Sequence, residues 1–211
     1  AFVENGQLRV LDEDGEVSAL VVQEPGTYYV EENVAPYGYI QSDERITVVV
    51  NENGSSDPVQ FLNDPAPTYA IGDYVWIDAN RDGIQDDDED PLAGVTVILE
   101  DAATGNELDR TETDDAGRYI FDDLLADDYR VRFILTDEQA AQYAFTEYRA
   151  PEADVENDSN AGSSGYTQRI TLGSDNPNLV PSGDYEYGDV SASEGIDPTW
   201  DAGVILADFA I

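Results

Sequence analysis

Residues 78–89, DANRDGIQDDDE, combine residue types and a spacing that suit the binding of a cation. In a twelve-residue calcium loop, oxygen-bearing side chains fall at positions 1, 3, 5, 9 and 12. Glycine at position 6 makes a sharp turn, residue 7 offers its backbone carbonyl, and residue 12 binds through both carboxylate oxygens. The sequence matches this pattern at every one of these positions. The expected ligands are Asp78, Asn80, Asp82, Ile84 (through its carbonyl), Asp86 and Glu89.

The ligand set favours calcium over magnesium, because it offers six or seven flexible oxygens, whereas magnesium prefers a tight octahedron with retained waters. Like charges this close repel one another unless a positive charge lies between them. The alternative is a solvated acidic turn, but such a turn does not explain why Gly83 and Glu89 stand where they do.

Strand-like segments flank this loop on both sides, IGDYVWI at 71–77 and PLAGVTVILE at 91–100. The loop is therefore expected to join two strands rather than two helices. Short β-branched and aromatic runs, such as 46–50 and 95–99, recur along the chain between Gly, Asn, Asp and Pro residues. This pattern predicts an all-β protein. A short capped helical turn is also expected at 136–142.

The net charge limits the classes of partner that the protein can bind. The 211-residue chain has 47 acidic residues against 9 basic ones, all arginine, and a formal net charge of −38. Nucleic acids and anionic membrane surfaces repel such a polyanion, and no apolar stretch is long enough for membrane insertion. The lack of lysine fits adaptation to high salt, and an acidic extracellular protein in calcium-rich water is the alternative.

Catalysis has little support in the composition. The chain contains no histidine and no cysteine, which excludes Ser-His-Asp and Cys-His systems and zinc sites built on those ligands. Two suitably spaced carboxylates will occur by accident among so many, so such a pair carries no information. We therefore expect that the protein is not an enzyme.

The chain repeats itself at an offset of about a hundred residues. Residues 12–32 parallel residues 114–133, and Tyr28 matches Tyr129. Two tandem modules are expected, at 1–67 and 68–211, with the proline-containing segment 63–70, NDPAPTYA, as the linker.

Several motifs resemble known families. GDYVWIDANRDGIQDDDEDPLAGVTVILED, then TDDAGRYIFDDLLADDYRV and the closing DAGVI, resemble the calcium-binding B-type repeat of serine-aspartate repeat adhesins, over 71–207. GTYYVEENVAPYGYI and VQFLN, within 1–67, are similar to the collagen-adhesin B-type, prealbumin-like domain of Gram-positive surface proteins. The resemblance implies two tandem immunoglobulin-like or prealbumin-like β-sandwiches in the stalk of an extracellular cell-surface protein.

The first resemblance implies a second acidic cluster that includes Asp158, Asn160 and the closing Asp201. Asp73 and Asp154 are further metal-ligand candidates, and ordinary exposed loops are the alternative for all five residues. Strand signals are few between 151 and 198, apart from QRITL at 168–172. Further calcium would hold so long a segment in place.

The second resemblance implies an isopeptide bond between a lysine and an asparagine, assisted by a buried acid. Glu32 matches the acid and Asn63 the asparagine, but the chain has no lysine. The alternative is that Glu32 is an edge-strand residue and Asn63 a turn residue.

The first module shows strand signals near 7–11, 17–22, 27–32, 46–50 and 59–62, which leaves its opening strand missing. Such a gap exposes backbone donors and acceptors that take up a strand from elsewhere. We expect residues before Ala1, or a partner subunit's terminal segment, to complete the sheet. The apolar end at 204–211, VILADFAI, is a candidate donor, or else the last strand of its own module.

These observations favour a calcium-stabilised stalk, spacer or filament segment whose partners are calcium ions and neighbouring modules or subunits. The alternative is a binding module that engages a carbohydrate, a mineral or an S-layer surface through acidic loops or exposed tyrosines. A third possibility is an accessory domain of an enzyme. Tyr74, Trp76 and Tyr129 fall in strand alternation, which favours core packing over a sugar platform.

Overall fold

β-strands carry nearly all of the regular structure. The computed structural model describes the backbone of residues 2–4, 7–11, 17–21, 24–53, 61–150, 157–185 and 189–207. The chain divides into two compact units, Ala1–Ala66 and Pro67–Ile211. The prediction of an all-β chain built from two tandem β-sandwich domains is confirmed.

The first unit contains a three-stranded antiparallel sheet and a two-stranded one. In the smaller sheet, Tyr28 lies opposite Val48, and alternate side chains of its second strand are partly or fully buried. The predicted strands near 7–11, 17–22, 27–32 and 46–50 agree with these elements to within one or two residues. The strands are β1 (Phe2–Glu4), β2 (Gln7–Leu11), β3 (Val17–Val21), β4 (Gly26–Glu31) and β5 (Arg45–Val50).

The end of the first unit differs from the prediction. Of the strand expected at 59–62, residues 61 and 62 are not in a strand, and 59 and 60 lie outside the described residues. The chain instead forms an isolated bridge between Tyr39 and Pro65. Residues 54–60 are not described, so completion of the sheet by another segment stays a prediction.

The second unit contains two sheets that enclose one apolar core. One has the order β10-β6-β15-β12, with β7 and β14 also paired to β6, and the other has the order β13-β11-β8-β9. The strands are β6 (Tyr69–Ile77), β7 (Asp90–Pro91), β8 (Thr96–Asp101), β9 (Glu107–Glu112), β10 (Arg118–Leu124), β11 (Asp128–Ile134), β12 (Tyr143–Phe145), β13 (Ile170–Thr171), β14 (Gly195–Asp197) and β15 (Ala202–Leu206).

Two short helices connect these strands: α1 (Asp137–Ala140) and a 3₁₀ turn at Ser182–Asp184. Thr136 caps α1 by accepting a hydrogen bond from the backbone of Gln139, whose side chain bonds back to the Thr136 backbone. This reciprocal capping confirms the helical turn predicted at 136–142.

Strict alternation along β11 shows how the core forms. Tyr129, Val131 and Phe133 point inward and are buried, while the intervening arginines are only partly covered. Phe133 meets Tyr119 edge-to-face at 5.5 Å between ring centroids. Trp76 is fully buried, so it and Tyr129 belong to the core, as expected, and are not available as a sugar platform.

The structure corrects two boundaries. The linker expected at 63–70 is too long, because Tyr69 and Ala70 are buried and already pair within β6. The prediction that 204–211 donates a strand to the first unit is wrong for Val204–Leu206. These residues pair with β6 and β12 of their own unit, and 208–211 lie outside the described residues.

Candidate metal centre

The acidic loop at 78–89 begins where β6 ends. Asp78 follows Ile77 directly and is buried, with a relative exposure of 1%. Its Oδ1 accepts a hydrogen bond from the backbone N–H of Arg81 (2.6 Å) and its Oδ2 one from that of Gly83 (3.0 Å). The hydroxyl of Thr146 also donates to Oδ2. One carboxylate thus fixes the first half of the loop and joins it to the segment after β12.

Gly83 takes the backbone conformation that the pattern requires. Its φ is +75°, in the left-handed region that side chains rarely adopt. A Cβ at this position would lie 3.1 Å from both the Glu147 carbonyl oxygen and the Ala150 Cβ. Glycine is therefore required here for its conformation and for the close packing of the loop against residues 147–150.

Three predicted ligands converge on one point. The side-chain amide nitrogen of Asn80 donates to Oδ2 of Asp82 and to Oδ2 of Asp86, each at 2.9 Å. Loop positions 3, 5 and 9 therefore bring their side chains within hydrogen-bond reach of one another. The amide group lies between two carboxylates, which is where a cation would reduce their repulsion most.

Glu89 closes the loop from its far end. Its Oε1 accepts from the backbone N–H of Ala79 (2.7 Å) and its Oε2 from that of Asp86 (3.2 Å). Burial raises the pKa of the Glu89 carboxyl, the negative charge of Asp78 adds to this, and the backbone hydrogen bonds oppose it. Both oxygens point into the loop, as expected of a bidentate ligand at position 12.

The loop is also tied to a second acidic segment. Ile84 forms an isolated antiparallel bridge with Asp158, and the N–H of Gln85 donates to the carbonyl of Asn157 at 2.9 Å. Two segments that are more than seventy residues apart in sequence thus meet along the loop.

Asp158, Asn160 and Asp201 form a buried cluster, with relative exposures of 6%, 3% and 0%. The Asn160 amide nitrogen donates to Oδ1 of Asp158 (2.8 Å), and the Asn160 backbone N–H donates to Oδ1 of Asp201 (3.2 Å). Burial raises the pKa of Asp158, whereas the positive charge of Arg149, whose Nε lies 3.9 Å away, lowers it.

Negative charge accumulates in this cluster. Burial raises the pKa of Asp201 well above its usual range, and the charges of Asp73 and Asp158 raise it further. The Oδ2 atom of Asp201 and the Oδ1 atom of Asn160 are buried and accept no hydrogen bond from any described residue. A buried acceptor left unsatisfied costs about 1–3 kcal/mol, and more when it is charged. The cluster therefore favours a proton or a cation at this place.

The structure brings together most of the predicted ligands. The six loop residues share one turn, and Asp158, Asn160 and Asp201 share one cluster that Asp73 influences electrostatically. Asp154 lies outside the described residues. Within the part of the chain that the structure describes, no group of three or more acidic side chains lies close enough together to hold a metal ion. No pattern in the sequence points to Thr146, because its contact with Asp78 spans 68 positions.

In the first unit, Glu32 and Asn63 lie in direct contact. The Asn63 amide nitrogen donates to Oε2 of Glu32 at 2.7 Å and to the carbonyl of Ile40 at 3.1 Å. The Ser42 N–H donates to the same Glu32 oxygen at 2.8 Å. The expected acid–asparagine pair is therefore adjacent, although the chain contains no lysine.

The fold and these sites define two β-sandwich modules, the second of which buries several carboxylates. Residues 69–185 match the model of the SdrD B-like domain, and residues 6–65 match that of the prealbumin-like fold domain. The first match covers more than half of the chain, which therefore belongs to the SdrD B-like domain family. Both resemblances inferred from the sequence are confirmed, and the expected extracellular, cell-surface location is confirmed with them.

Relatives include serine-aspartate repeat-containing protein D of Staphylococcus aureus (strain Newman), 36% identical over 182 residues, covering 81% of this chain and 13% of that protein. Protein I of Staphylococcus saprophyticus is 51% identical over 89 residues, covering 42% of this chain and 4% of that one. This chain thus spans only a small part of these relatives.

A solved structure with a similar chain path is the pilus adhesin SpaC from Lactobacillus rhamnosus GG in its open conformation. It has a TM-score of 0.45 and 13% identity, over 97% of this chain and 28% of that one. Within the described part of this chain, no helix is long and apolar enough to cross a membrane.

Proposed function

We propose that this chain is a calcium-stabilised structural segment of an extracellular surface protein, acting as a stalk, spacer or filament unit without enzymatic activity. The observation that carries the proposal is the convergence of Asp82 and Asp86 on Asn80, in a loop closed at its two ends by Asp78 and Glu89. Bound calcium would neutralise this charge and cross-link the arms of the loop.

The loop's own residues have distinct roles in this proposal. Asp78, Asp82, Asp86 and Glu89 supply negative oxygens, and Asn80 supplies a neutral one after its amide group turns over. The Ile84 carbonyl completes the set. Gly83 holds the turn, and Asp78 keeps it attached to β6 and to Thr146.

Calcium that binds only the folded unit stabilises it by mass action. When free calcium is a few hundred times its dissociation constant, the gain is about 3 kcal/mol. The buried oxygens of Asp201 and Asn160 support a second, linked ion at the cluster that the bridge to Asp158 connects with the loop. Stiff modules that bound ions stabilise would suit a stalk. The partners of such a stalk would be neighbouring modules or subunits.

Calorimetric titration of calcium tests the proposal. We expect Glu89→Gln to weaken calcium binding at least tenfold, because it removes a charge and a bidentate ligand while keeping the shape. Asp88→Asn makes the same change in charge within the loop but at position 11, which supplies no ligand, and should bind nearly as the parent does. Equal affinities for all three proteins would contradict the proposal.

A binding role is the alternative, and exposed aromatic residues of the first unit favour it. Tyr37 is 89% exposed, and Tyr29 and Tyr39 are at least half exposed. Tyrosines of this kind are common where proteins bind ligands. A glycan array probed with and without calcium separates the two roles, because a pure spacer retains no glycan under either condition.

A further inference from the structure

A cleft in the second unit differs from the acidic chain as a whole in the charge of the residues that line it. It has a volume of about 350 Å³ and lies between the end of β11, β12 and the turn at 162–165. Tyr143 and Phe145 form an apolar wall, and Arg132, Ser163 and Ser164 form a polar rim. None of the described residues that line it is acidic, although the chain has 47 acidic residues.

Arg132 differs from the other arginines on this face of the sheet. Arg130 pairs with Glu100 at 2.5 Å, and Arg110 pairs with Glu107 through two hydrogen bonds of 3.0 and 2.9 Å. Arg132 forms no ion pair with a described carboxylate, and its Nε is buried without a hydrogen-bond partner among the described residues.

The ring of Tyr166 holds this guanidinium in place. The Arg132 Cζ lies 4.9 Å from the ring centroid, and the backbones of the two residues form a bridge. A guanidinium stacked in this way keeps the fork of N–H groups that recognises a carboxylate through two bonds. The positive charge is thus oriented, and no described carboxylate pairs with it.

A tight turn positions Ser163 and Ser164, which form the serine rim of the cleft. The Gly165 N–H donates a hydrogen bond to the Gly162 carbonyl (2.7 Å), and the Gly165 carbonyl accepts one from the Phe133 N–H (2.7 Å). Gly165 has a φ of +78°, and a Cβ there would lie 2.2 Å from the Phe133 carbonyl oxygen. The turn therefore packs tightly against β11 and presents exposed Ser163 and Ser164 beside Arg132.

We propose that this cleft binds a carboxylate carried on an apolar group, namely the C-terminal residue of a peptide that ends in an aromatic or large aliphatic side chain. The carboxylate pairs with the Arg132 guanidinium and accepts hydrogen bonds from the serine rim. The apolar side chain packs against Tyr143 and Phe145. The volume suits one such residue.

Titration of the whole chain with N-acetylphenylalanine, followed by NMR, tests this site. We expect a dissociation constant on the order of 1–10 mM, with shifts at Phe145 and Ser164. N-acetylphenylalanine amide keeps the ring but loses the charge, and should bind at least tenfold more weakly. N-acetylglycine, which keeps the carboxylate but lacks the ring, should also bind more weakly.

Arg132→Gln should abolish the preference for the acid over the amide, whereas Arg110→Gln, on the same sheet but outside the cleft, should leave it unchanged. The comparison of acid and amide on the parent protein decides the matter even if Arg132→Gln does not fold. Equal binding of the two compounds, or no binding of the acid at about 20 mM, would overturn the proposal.

Discussion

The two units of the chain place their carboxylates in different surroundings. In the first, Glu31 pairs with Arg45 at the surface, where each side chain is about 60% exposed, and Glu32 accepts hydrogen bonds from Ser42 and Asn63. In the second, Asp78 and Asp201 are almost completely buried. Burying a carboxylate is costly unless a donor, a proton or a cation compensates it. The contrast shows why ion dependence is expected in only one of the two units.

The largest single effect is expected from Asp78→Ala. It leaves the N–H groups of Arg81 and Gly83 and the Thr146 hydroxyl without their acceptor, and it removes a calcium ligand. We expect a loss of about 3 kcal/mol in the second unit, measured by urea unfolding in calcium. Asp88→Ala, in the exposed part of the loop, serves as the control and should change stability by less than about 0.5 kcal/mol. A small effect of Asp78→Ala would show that this buried carboxylate does not organise the loop.

Gly83→Ala is expected to cost about 2 kcal/mol in the second unit, because alanine is strained at a φ of +75° and its Cβ crowds Glu147 and Ala150. Gly94→Ala is a matched control. It has the same kind of φ, +71°, but a Cβ there meets no atom within 4 Å, so only the conformational part remains. If the two variants were equally stable, the packing of the loop against residues 147–150 would contribute nothing.

The pH dependence should also differ between the units. Burial raises the pKa of Asp201 and of Asp158, so the folded second unit holds protons that the unfolded chain releases above pH 4 or so. In chelator, stability should therefore fall as the pH rises from about 4 through the raised pKa values, by up to about 1.4 kcal/mol per pH unit for each proton. Asp201→Asn should flatten this slope in denaturant titrations at several pH values. A slope that is unchanged in the variant would place the protons elsewhere.

The smallest effect is expected in the first unit. Asn63→Asp replaces the donor to Glu32 with a second carboxylate, which should cost about 1 kcal/mol at neutral pH regardless of calcium. Asn33→Asp is an exposed control with the same charge change. Chemical unfolding of the isolated first unit in calcium and in chelator measures both. A calcium-dependent loss at Asn63 would mean that the first unit also binds the ion.

Local features could be predicted from the sequence because they depend on neighbouring residues. The spacing from Asp78 to Glu89 determines the turn at Gly83, and Thr136 with Gln139 determines the cap of α1. Alternation places Val131 and Phe133 in the core. Each of these signals is complete within a dozen residues.

Tertiary contacts could not be predicted in the same way. Nothing local indicates that Ile84 meets Asp158, or that Asp201 lies near enough to Asp73 for its charge to matter. Strand β14 is only three residues long and pairs in parallel with β6, which an acidic sequence with few β-branched residues does not indicate. That Arg132 pairs with no described carboxylate also emerges only once its neighbours in space are known.

Calorimetric unfolding of the whole chain in calcium and in chelator, at equal ionic strength, tests whether calcium stabilises the second unit and not the first. We expect two transitions, of which only that of Pro67–Ile211 moves to lower temperature on chelation. A loss of about 3 kcal/mol would lower its midpoint by roughly 6–12 °C. Superimposable curves in the two buffers, or equal shifts of both transitions, would show that calcium does not stabilise the second unit selectively.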